Sequence, residues 1–344
     1  MKIKKIVNNI INIRNEFDED VYGLPHNINK VFTFCGLKIK LNISMKNYFK
    51  RSIKQWYIKE EHQEKNQIYP RRPSIYRLFF NYIFSKCPTL VFCHHMVTTF
   101  CTLKCKDCCC FIPYYDKTSH LKPISFEQFK QELDLLLKEV ASVEIYSFMG
   151  GEPLLVKDLP QMIEYAAKQK KIKFIYITTN GTIVPSDDLL REIKKFSNKI
   201  KISISNYNSN PALSEKLHYE ELFSVLKKYN IKYEYFKEAH WYTNIEFVNQ
   251  NNDFEVAYNN FSNCYMKHCI TYMGGKLYLC PLVAYLERNH KISEEQAVID
   301  FNNGLKNREK LIRFLEKSYF EVCGHCNHNN VKETIVAEQI NGKV

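Results

Sequence analysis

Several features that define other protein classes are missing from this chain of 344 residues. It has no apolar run of about eighteen residues, the length that a membrane span needs, so no transmembrane helix is expected. No secretory signal precedes its 13 cysteines, and thiols clustered in a reducing compartment indicate metal binding rather than disulfides. No base-stacking module or other nucleic-acid-binding signature is found, so nucleic acid is not an expected partner. We therefore expect a cytoplasmic, metal-binding protein.

Three cysteines form a C-x3-C-x2-C run on one short segment: Cys101, Cys105 and Cys108. Three thiolates at this spacing can ligate three irons of a [4Fe–4S] cube and leave the fourth iron open to another ligand. Zinc is the alternative, but a zinc ribbon normally has two C-x2-C pairs, and no His lies within this loop. Cys109 and Cys110 are expected to be bystanders, with a shifted ligand set as the alternative.

A second motif follows an apolar, β-branched and aromatic segment, residues 143–149, and consists of Gly150, Gly151, Glu152 and Pro153. This pattern predicts a buried strand that meets a loop. Glycines lack a Cβ atom and so let a ligand approach the backbone closely, while Glu152 can order the turn or accept a hydrogen bond from a cation. A four-residue match could also be an ordinary turn, but here it follows the cysteine loop after one helix and one strand.

Strand and helix patterns alternate along the middle of the chain. Capping signals predict helices that begin after Ser125 and Ser186, and further helices are expected over residues 158–169 and 219–229. Strands are predicted at 143–149, 173–179, 201–205 and 231–237. Such alternation predicts a parallel sheet, whose ligand sites lie at the carboxyl ends of the strands. Polar residues at these ends join the two motifs as candidates, with helix capping or turn formation as their alternative role: Asn180, Ser203 and Ser205.

The cysteine run and the Gly-Gly-Glu-Pro run together resemble the radical SAM superfamily. The resemblance implies an incomplete (β/α)6 barrel over roughly residues 88–240, in which the open iron chelates S-adenosylmethionine and residues 150–153 bind its methionyl ammonium. It also places Asn180, Ser203 and Ser205 near the ribose or carboxylate of this cosubstrate. Reductive cleavage would yield a 5′-deoxyadenosyl radical that abstracts hydrogen from a substrate C–H bond, with flavodoxin or ferredoxin as the electron donor.

The sequence departs from the superfamily pattern at one position. The residue before the third cysteine is commonly aromatic, and here it is Asp107. Phe100 and Phe111 are therefore expected to pack against the adenine instead. No catalytic general base can be chosen from the sequence, because Glu, Lys and Tyr candidates are numerous.

A second metal site is predicted from four later cysteines: Cys264, Cys280, Cys323 and Cys326. Gly274-Gly275 between two short strand patterns predicts a hairpin that returns Cys280 beside Cys264, and Cys269 is the competing ligand. The array resembles the twitch subtype of the SPASM extension, which implies one auxiliary [4Fe–4S] cluster, since no cysteine follows Cys326. Structural zinc is the alternative. His325 and His328 are not expected to be ligands.

The positive charge is concentrated before residue 89. Residues 1–88 contain 17 Lys and Arg against 7 Asp and Glu, and this net +10 supplies most of the +12 of the chain. Residues 71–84 mix basic and aromatic side chains, residues 31–43 alternate like a hairpin, and one helical face is predicted from Ile3, Ile6, Val7, Ile10, Ile13 and Phe17. Such stretches can pack on the barrel, lie on the inner face of a membrane as a peripheral contact, or bind phosphate.

These observations predict an α/β protein with three parts. Residues 1–88 form a basic extension, residues 89–240 the partial barrel, and residues 241–344 a small auxiliary-cluster domain with a hairpin and a helix. The resemblance to twitch-bearing dehydrogenases implies an enzyme that oxidises a sugar, a cyclitol or a nucleotide-linked sugar, and the basic arm would then face a phosphate or a lipid carrier. The alternatives are modification of a ribosomally made peptide that docks on residues 1–88, and a non-catalytic metal scaffold.

Overall fold

The structure is a computed structural model that describes residues 11–19, 25–34, 37–44, 87–235, 241–243, 254–264, 266, 269–292, 297–304, 306–327 and 331–340. Two compact units make up the chain. One comprises residues 1–66 with 315–318, and the other comprises residues 67–314 with 319–344. The predicted boundaries at 88 and 240 stay predictions.

The first unit contains a three-stranded antiparallel sheet formed by β1 (Ile11–Glu19), β2 (Pro25–Phe34) and β3 (Leu37–Ser44), in that order. The hairpin predicted over residues 31–43 is confirmed, because Phe34 pairs with Leu37 and the register continues outward from there.

The helical face predicted for the start of the chain is wrong at Ile13 and Phe17, which lie in β1. Ile13 pairs with Phe32 and Phe17 with Ile28, so pairing with the next strand along the chain overrides the helical spacing. Residues 3–10 of that face, and the aromatic stretch 71–84, lie outside the described residues.

The second unit is built on an eight-stranded sheet. Its first five strands along the chain pair in parallel: β4 (Thr89–Met96), β5 (Ser142–Met149), β6 (Ile172–Thr179), β7 (Ile200–Ile204) and β8 (Tyr233–Tyr235). A small separate ladder pairs β9 (Trp241–Tyr242) with β13 (Glu333–Thr334). The predicted α/β class with a parallel sheet is confirmed.

The predicted Gly-Gly hairpin extends this sheet. β10 (Thr271–Met273) turns into β11 (Lys276–Tyr278) through Gly274 and Gly275, whose φ angles are +62° and +75°. Two consecutive positive φ angles are typical of the tight hairpin turn for which glycine is favoured. β10 pairs in parallel with β4, and β11 pairs with β12 (Val298–Asp300). The hairpin therefore belongs to the same sheet as the parallel strands.

Four helices connect the parallel strands: α1 (Phe126–Glu139), α2 (Leu159–Lys168), α3 (Asp187–Lys195) and α4 (Tyr219–Lys228). The predicted caps are confirmed, since the hydroxyls of Ser125 and Ser186 accept from the backbone N–H groups of Gln128 and Leu189. Three further helices follow: α5 (Phe254–Asn263), α6 (Pro281–Arg288) and α7 (Asn307–Glu316). No helix within the described ranges is long and apolar enough to cross a bilayer.

The two faces of the parallel sheet differ in character. On one face, His95 and Phe148 stack on Phe129 of α1, which covers that side. The strand registers place His94, Ser147, Tyr176 and Lys201 in one row on the other face. This row of side chains therefore lies on the face opposite α1.

Candidate active site

The cysteine loop and the Gly-Gly-Glu-Pro run meet at the carboxyl ends of β4 and β5. The Gly151 N–H donates to the carbonyl of Thr98 at 2.8 Å, and the Glu152 N–H donates to that of Phe100 at 2.8 Å. A Cβ atom at Gly151 would lie 2.0 Å from the Phe100 carbonyl oxygen, and one at Gly150 would lie 2.1 Å from that of Thr98. The two glycines are thus needed for the close passage of the cysteine loop itself, a role that the sequence did not reveal.

Glu152 ties this junction to the next strand. Its side chain is fully buried and accepts from the backbone N–H of Leu154 at 3.1 Å and from that of Asn180, after β6, at 2.9 Å. Burial raises the pKa of this carboxyl from 4.5 to about 7. Glu152 therefore orders the turn, one of its two predicted roles, and joins the ends of β5 and β6.

The three predicted thiols lie on one loop at this junction. Cys105 is buried, and Cys101 and Cys108 are half-buried. Burial raises the pKa of all three, that of Cys105 to about 12, so a bound metal would have to displace their protons. The backbone N–H of Leu103 points at the sulfur of Cys101, at 3.5 Å.

The three thiols are predicted to be ligands of a cluster and not of a single ion. Within the described part of the chain, no group of three or more His, Cys, Asp or Glu side chains is placed so that it could hold one metal ion. A cube takes each of its thiolates on a separate iron, so it does not require the three sulfurs to converge on one point. Cys101, Cys105 and Cys108 are free thiols on one loop and so supply the donor type that such a cluster takes, and their ligation stays a prediction.

Cys109 and Cys110 differ from the three ligand candidates. Cys109 is exposed, Cys110 is buried, and their sulfurs lie 3.9 Å apart. The hydrogen bond with Cys109, burial and the nearby Cys269 all raise the pKa of Cys110.

Of the two aromatic candidates for the adenine, Phe111 is buried and stacks on Tyr285 at 5.2 Å, whereas Phe100 is 41% exposed and stacks on His120. Phe100 is thus the more accessible ring beside Cys101.

Asn180 lies directly beside the cysteine loop. Its amide nitrogen donates to Cys101 Sγ at 3.5 Å and to Thr102 Oγ1 at 3.0 Å, and its oxygen accepts from the Thr182 N–H at 2.9 Å. Asn180 consequently combines the turn-forming role with direct contact to a ligand candidate.

Both predicted serines form hydrogen bonds with residues of neighbouring strands, Ser203 through its side chain and Ser205 through its backbone. Ser203 donates to Glu234 Oε1 at 2.8 Å, and the other oxygen of Glu234 lies 2.6 Å from Lys201 Nζ in a deeply buried ion pair. The Ser205 N–H donates to the Thr179 carbonyl, at 3.0 Å. Sequence reasoning missed Lys201 and Glu234; the only available signal was a lysine and a glutamate within apolar strands.

The second predicted site comes together around one cavity. All four candidates line it, Cys264, Cys280, Cys323 and Cys326, whereas Cys269 and His325 are not among its described lining residues. Burial raises the pKa of Cys326 to about 12 and those of Cys280 and Cys323 as well. Asn260 on α5 donates to the carbonyls of Cys323 and Cys326 at 2.8 and 2.9 Å. The fold therefore brings together around this cavity the four thiols that were predicted from the sequence. His328 lies outside the described residues.

Known proteins match only part of this chain. GTP 3',8-cyclase of Aquifex aeolicus (strain VF5) is 30% identical over 121 residues, which is 35% of this chain and 36% of that protein. The S-adenosylmethionine-dependent nucleotide dehydratase of Lacinutrix mariniflava (strain JCM 13824 / KCCM 42306 / AKS432) is 34% identical over 107 residues, 31% of this chain and 21% of that protein. The chain thus spans about a third or less of the length of these curated relatives.

The solved structures that match this chain are remote in sequence. BtrN in complex with AdoMet and 2-DOIA is 15% identical, with a TM-score of 0.46 over 73% of this chain and 98% of that one. Native anSMEcpe with bound AdoMet and Cp18Cys peptide is 14% identical, with a TM-score of 0.41 over 67% and 84%.

A match to a protein family covers the candidate site itself. Residues 96–240 match the Radical SAM superfamily. They include the cysteine loop, the Gly-Gly-Glu-Pro run and Asn180, which meet at adjoining strand ends. The prediction made from these motifs is confirmed for the region that carries them: residues 96–240 of this chain form a Radical SAM superfamily domain.

Proposed function

We propose that the protein is a radical SAM enzyme that binds S-adenosylmethionine at a [4Fe–4S] cluster held by Cys101, Cys105 and Cys108. The observation that carries this proposal is the junction at which the cysteine loop lies against Gly151 and Asn180 contacts Cys101. When bound, the cluster would supply the electron that splits the sulfonium of the cosubstrate. Residues 150–153 would orient the methionyl group, and Glu152 would hold their backbone in place.

We infer that the second site holds an auxiliary [4Fe–4S] cluster on Cys264, Cys280, Cys323 and Cys326. Support comes from the four thiols that line one cavity and from the match of residues 96–240 to a superfamily that already requires cluster assembly. Because all four ligands would come from the protein, electron acceptance during a net oxidation is the natural role. Four cysteines can also bind structural zinc, so metal analysis decides between the two.

For the substrate we favour a sugar, a cyclitol or a nucleotide-linked sugar whose hydroxyl-bearing carbon is oxidised. The net +10 of residues 1–88 suits a phosphate-bearing substrate or carrier. The names of two relatives, GTP 3',8-cyclase and nucleotide dehydratase, also concern phosphate-bearing compounds.

Modification of a ribosomally made peptide is the second candidate. It is favoured by the three-stranded sheet of residues 11–44, in which the described strands β1 and β3 each pair on one side only. An extended peptide can add to such an edge through main-chain hydrogen bonds. Stimulation of cosubstrate cleavage by a precursor peptide, and not by nucleotide sugars, would establish this alternative.

The proposed chemistry is tested by anaerobic cluster reconstitution, reduction with dithionite and addition of S-adenosylmethionine. We expect release of 5′-deoxyadenosine, measured by chromatography. Cys108→Ala should abolish it, while the matched variant Cys109→Ala should retain it, because Cys109 is assigned as a bystander. The opposite outcome would indicate a shifted ligand set, and no release from the wild-type protein would leave only the non-catalytic scaffold.

A further inference from the structure

Residues 335–340 lie along the cysteine loop although they are more than 230 positions away in sequence. The Lys106 N–H donates to the carbonyl of Glu338 at 2.7 Å, and the Ile340 N–H donates to that of Lys104 at 2.8 Å. Between these two bonds, Cys105 and Gln339 form an antiparallel bridge. This pairing fixes the register of the segment against the middle cysteine of the loop.

The same segment is anchored by an apolar cluster beneath the loop. Val336 and Ala337 belong to this cluster, whose other members are Leu103, Cys105, Tyr207 and Leu213. The Asn210 amide also donates to the Val336 carbonyl at 2.8 Å. Because burial and backbone pairing both hold the segment, the side chain of Gln339 is presented to the loop in a fixed position.

The orientation of the Gln339 amide follows from its partners. Its oxygen accepts from the Lys104 N–H at 2.8 Å, and a backbone N–H can only donate. The other amide atom is therefore the nitrogen, which donates to the Ala337 carbonyl at 2.7 Å and to Cys105 Sγ at 3.3 Å. An amide donor thus faces the sulfur of the middle ligand candidate, at a shorter distance than the 3.5 Å that separates Cys101 Sγ from Asn180.

We propose that Gln339 is a positioning residue that sets the reduction potential of the reductive cluster through its hydrogen bond to Cys105 Sγ. This inference rests on the proposed function, since it requires a cluster at that thiolate. Hydrogen bonds to the ligating sulfurs are among the factors that fix the potential of an iron–sulfur cluster. A donor stabilises the extra negative charge of the reduced state, so its presence raises the potential and its loss lowers it.

The test is a potentiometric titration of the reconstituted full-length protein, followed by EPR spectroscopy. Gln339→Leu removes the donor, while the backbone bonds at Lys106 and Ile340 keep the segment docked. We expect the potential of the reductive cluster to become more negative and that of the auxiliary cluster to stay unchanged, which provides an internal reference. Glu338→Gln is the matched control, because its side chain pairs with Lys106 at the surface, and it should keep the wild-type potential.

A second variant covers the possibility that Gln339→Leu fails to assemble its cluster. Gln339→Glu keeps an oxygen for the Lys104 N–H but cannot donate to sulfur once ionised, so it should also shift the potential to more negative values. An unchanged potential in whichever variant assembles the cluster would overturn the inference. Failure of the proposed function is distinct, since the wild-type protein would then form no EPR-active cluster on Cys101, Cys105 and Cys108.

Discussion

Glu152 is fully enclosed, and it accepts from the backbone of two different loop segments, at Leu154 and Asn180. The sequence placed it in the site but could not identify its partners, because they depend on the meeting of β5 and β6. The same limit applies to Ser203, whose partner Glu234 follows it by 31 positions, and to Gln339, for which no local pattern exists. Residue type and motif spacing were sufficient to predict which residues belong to the site, whereas the hydrogen-bond partners of their side chains could not be predicted.

The first prediction concerns Glu152→Gln in the metal-free protein. An amide supplies only one acceptor oxygen, so one buried N–H loses its partner, at a cost of about 1–3 kcal/mol. The folded pKa of about 7 lies above the ordinary 4.5, so the stability contributed by the protonated carboxyl is present below pH 4.5 and is lost as the pH rises through about 7. As the pH rises from 4.5 to about 7, the difference in unfolding free energy between wild type and variant should therefore shrink. Urea unfolding measures it, and a difference that widens with pH would contradict the prediction.

The second prediction concerns the Lys201–Glu234 pair, whose side chains are only 3% and 6% exposed. Lys201→Met leaves a buried carboxylate without this partner and should cost about 3–5 kcal/mol, while the double variant with Glu234→Leu should recover most of that loss. Lys168→Met serves as the control, because its pair with Glu164 is 62% and 41% exposed and should contribute about 0–1 kcal/mol. Equal costs for the two lysines, measured by urea unfolding, would refute this.

At the scale of helices and strands, local signals explain which elements were predictable. Ser125, Ser186 and the Gly274-Gly275 turn each fix an element boundary by their own hydrogen bonds or φ angles, and these boundaries were predicted within one or two residues. β1 was missed because its strand conformation depends on pairing with β2. Elements with strong local end signals were therefore predictable, and an element whose conformation depends on pairing with another strand was not.

The third prediction concerns the contact between two loops at Gly151. Gly151→Ala places a Cβ about 2 Å from the Phe100 carbonyl and should displace the cysteine loop, at a cost of about 1–3 kcal/mol of stability and with a lower iron content. Gly324→Ala is the control for stability alone, because its Cβ would meet Ala257 at an ordinary 3.5 Å and should leave the protein equally stable or up to about 1 kcal/mol more stable. Thermal unfolding and iron analysis measure both, and a harmless Gly151→Ala would contradict the packing argument.

The fourth prediction concerns α5, which holds the segment that carries Cys323 and Cys326. Asn260→Leu removes both amide hydrogen bonds to their carbonyls. We expect the iron content of the reconstituted protein to fall from about eight to about four per chain, with 5′-deoxyadenosine release retained. A variant that keeps the wild-type iron content would show that α5 does not support the second site.

At the scale of the whole molecule, one sheet supports both candidate sites. β4 leads to Cys101 at its carboxyl end and pairs in parallel with β10, whose hairpin partner β11 leads to Cys280. The boundary near residue 240 was predicted from the resemblance to the superfamily, and no pattern in the sequence indicated the pairing between β4 and β10. That pairing spans more than 170 positions, and no local pattern encodes it.

The central claim is a [4Fe–4S] cluster on Cys101, Cys105 and Cys108 whose open iron binds S-adenosylmethionine. The most direct measurement is the EPR spectrum of the dithionite-reduced wild-type protein, recorded anaerobically before and after this cosubstrate is added. We predict that a cluster signal changes on addition, and that the change is absent from Cys105→Ala. A spectrum that the cosubstrate leaves unaltered, or zinc in place of iron at these three cysteines, would contradict the account.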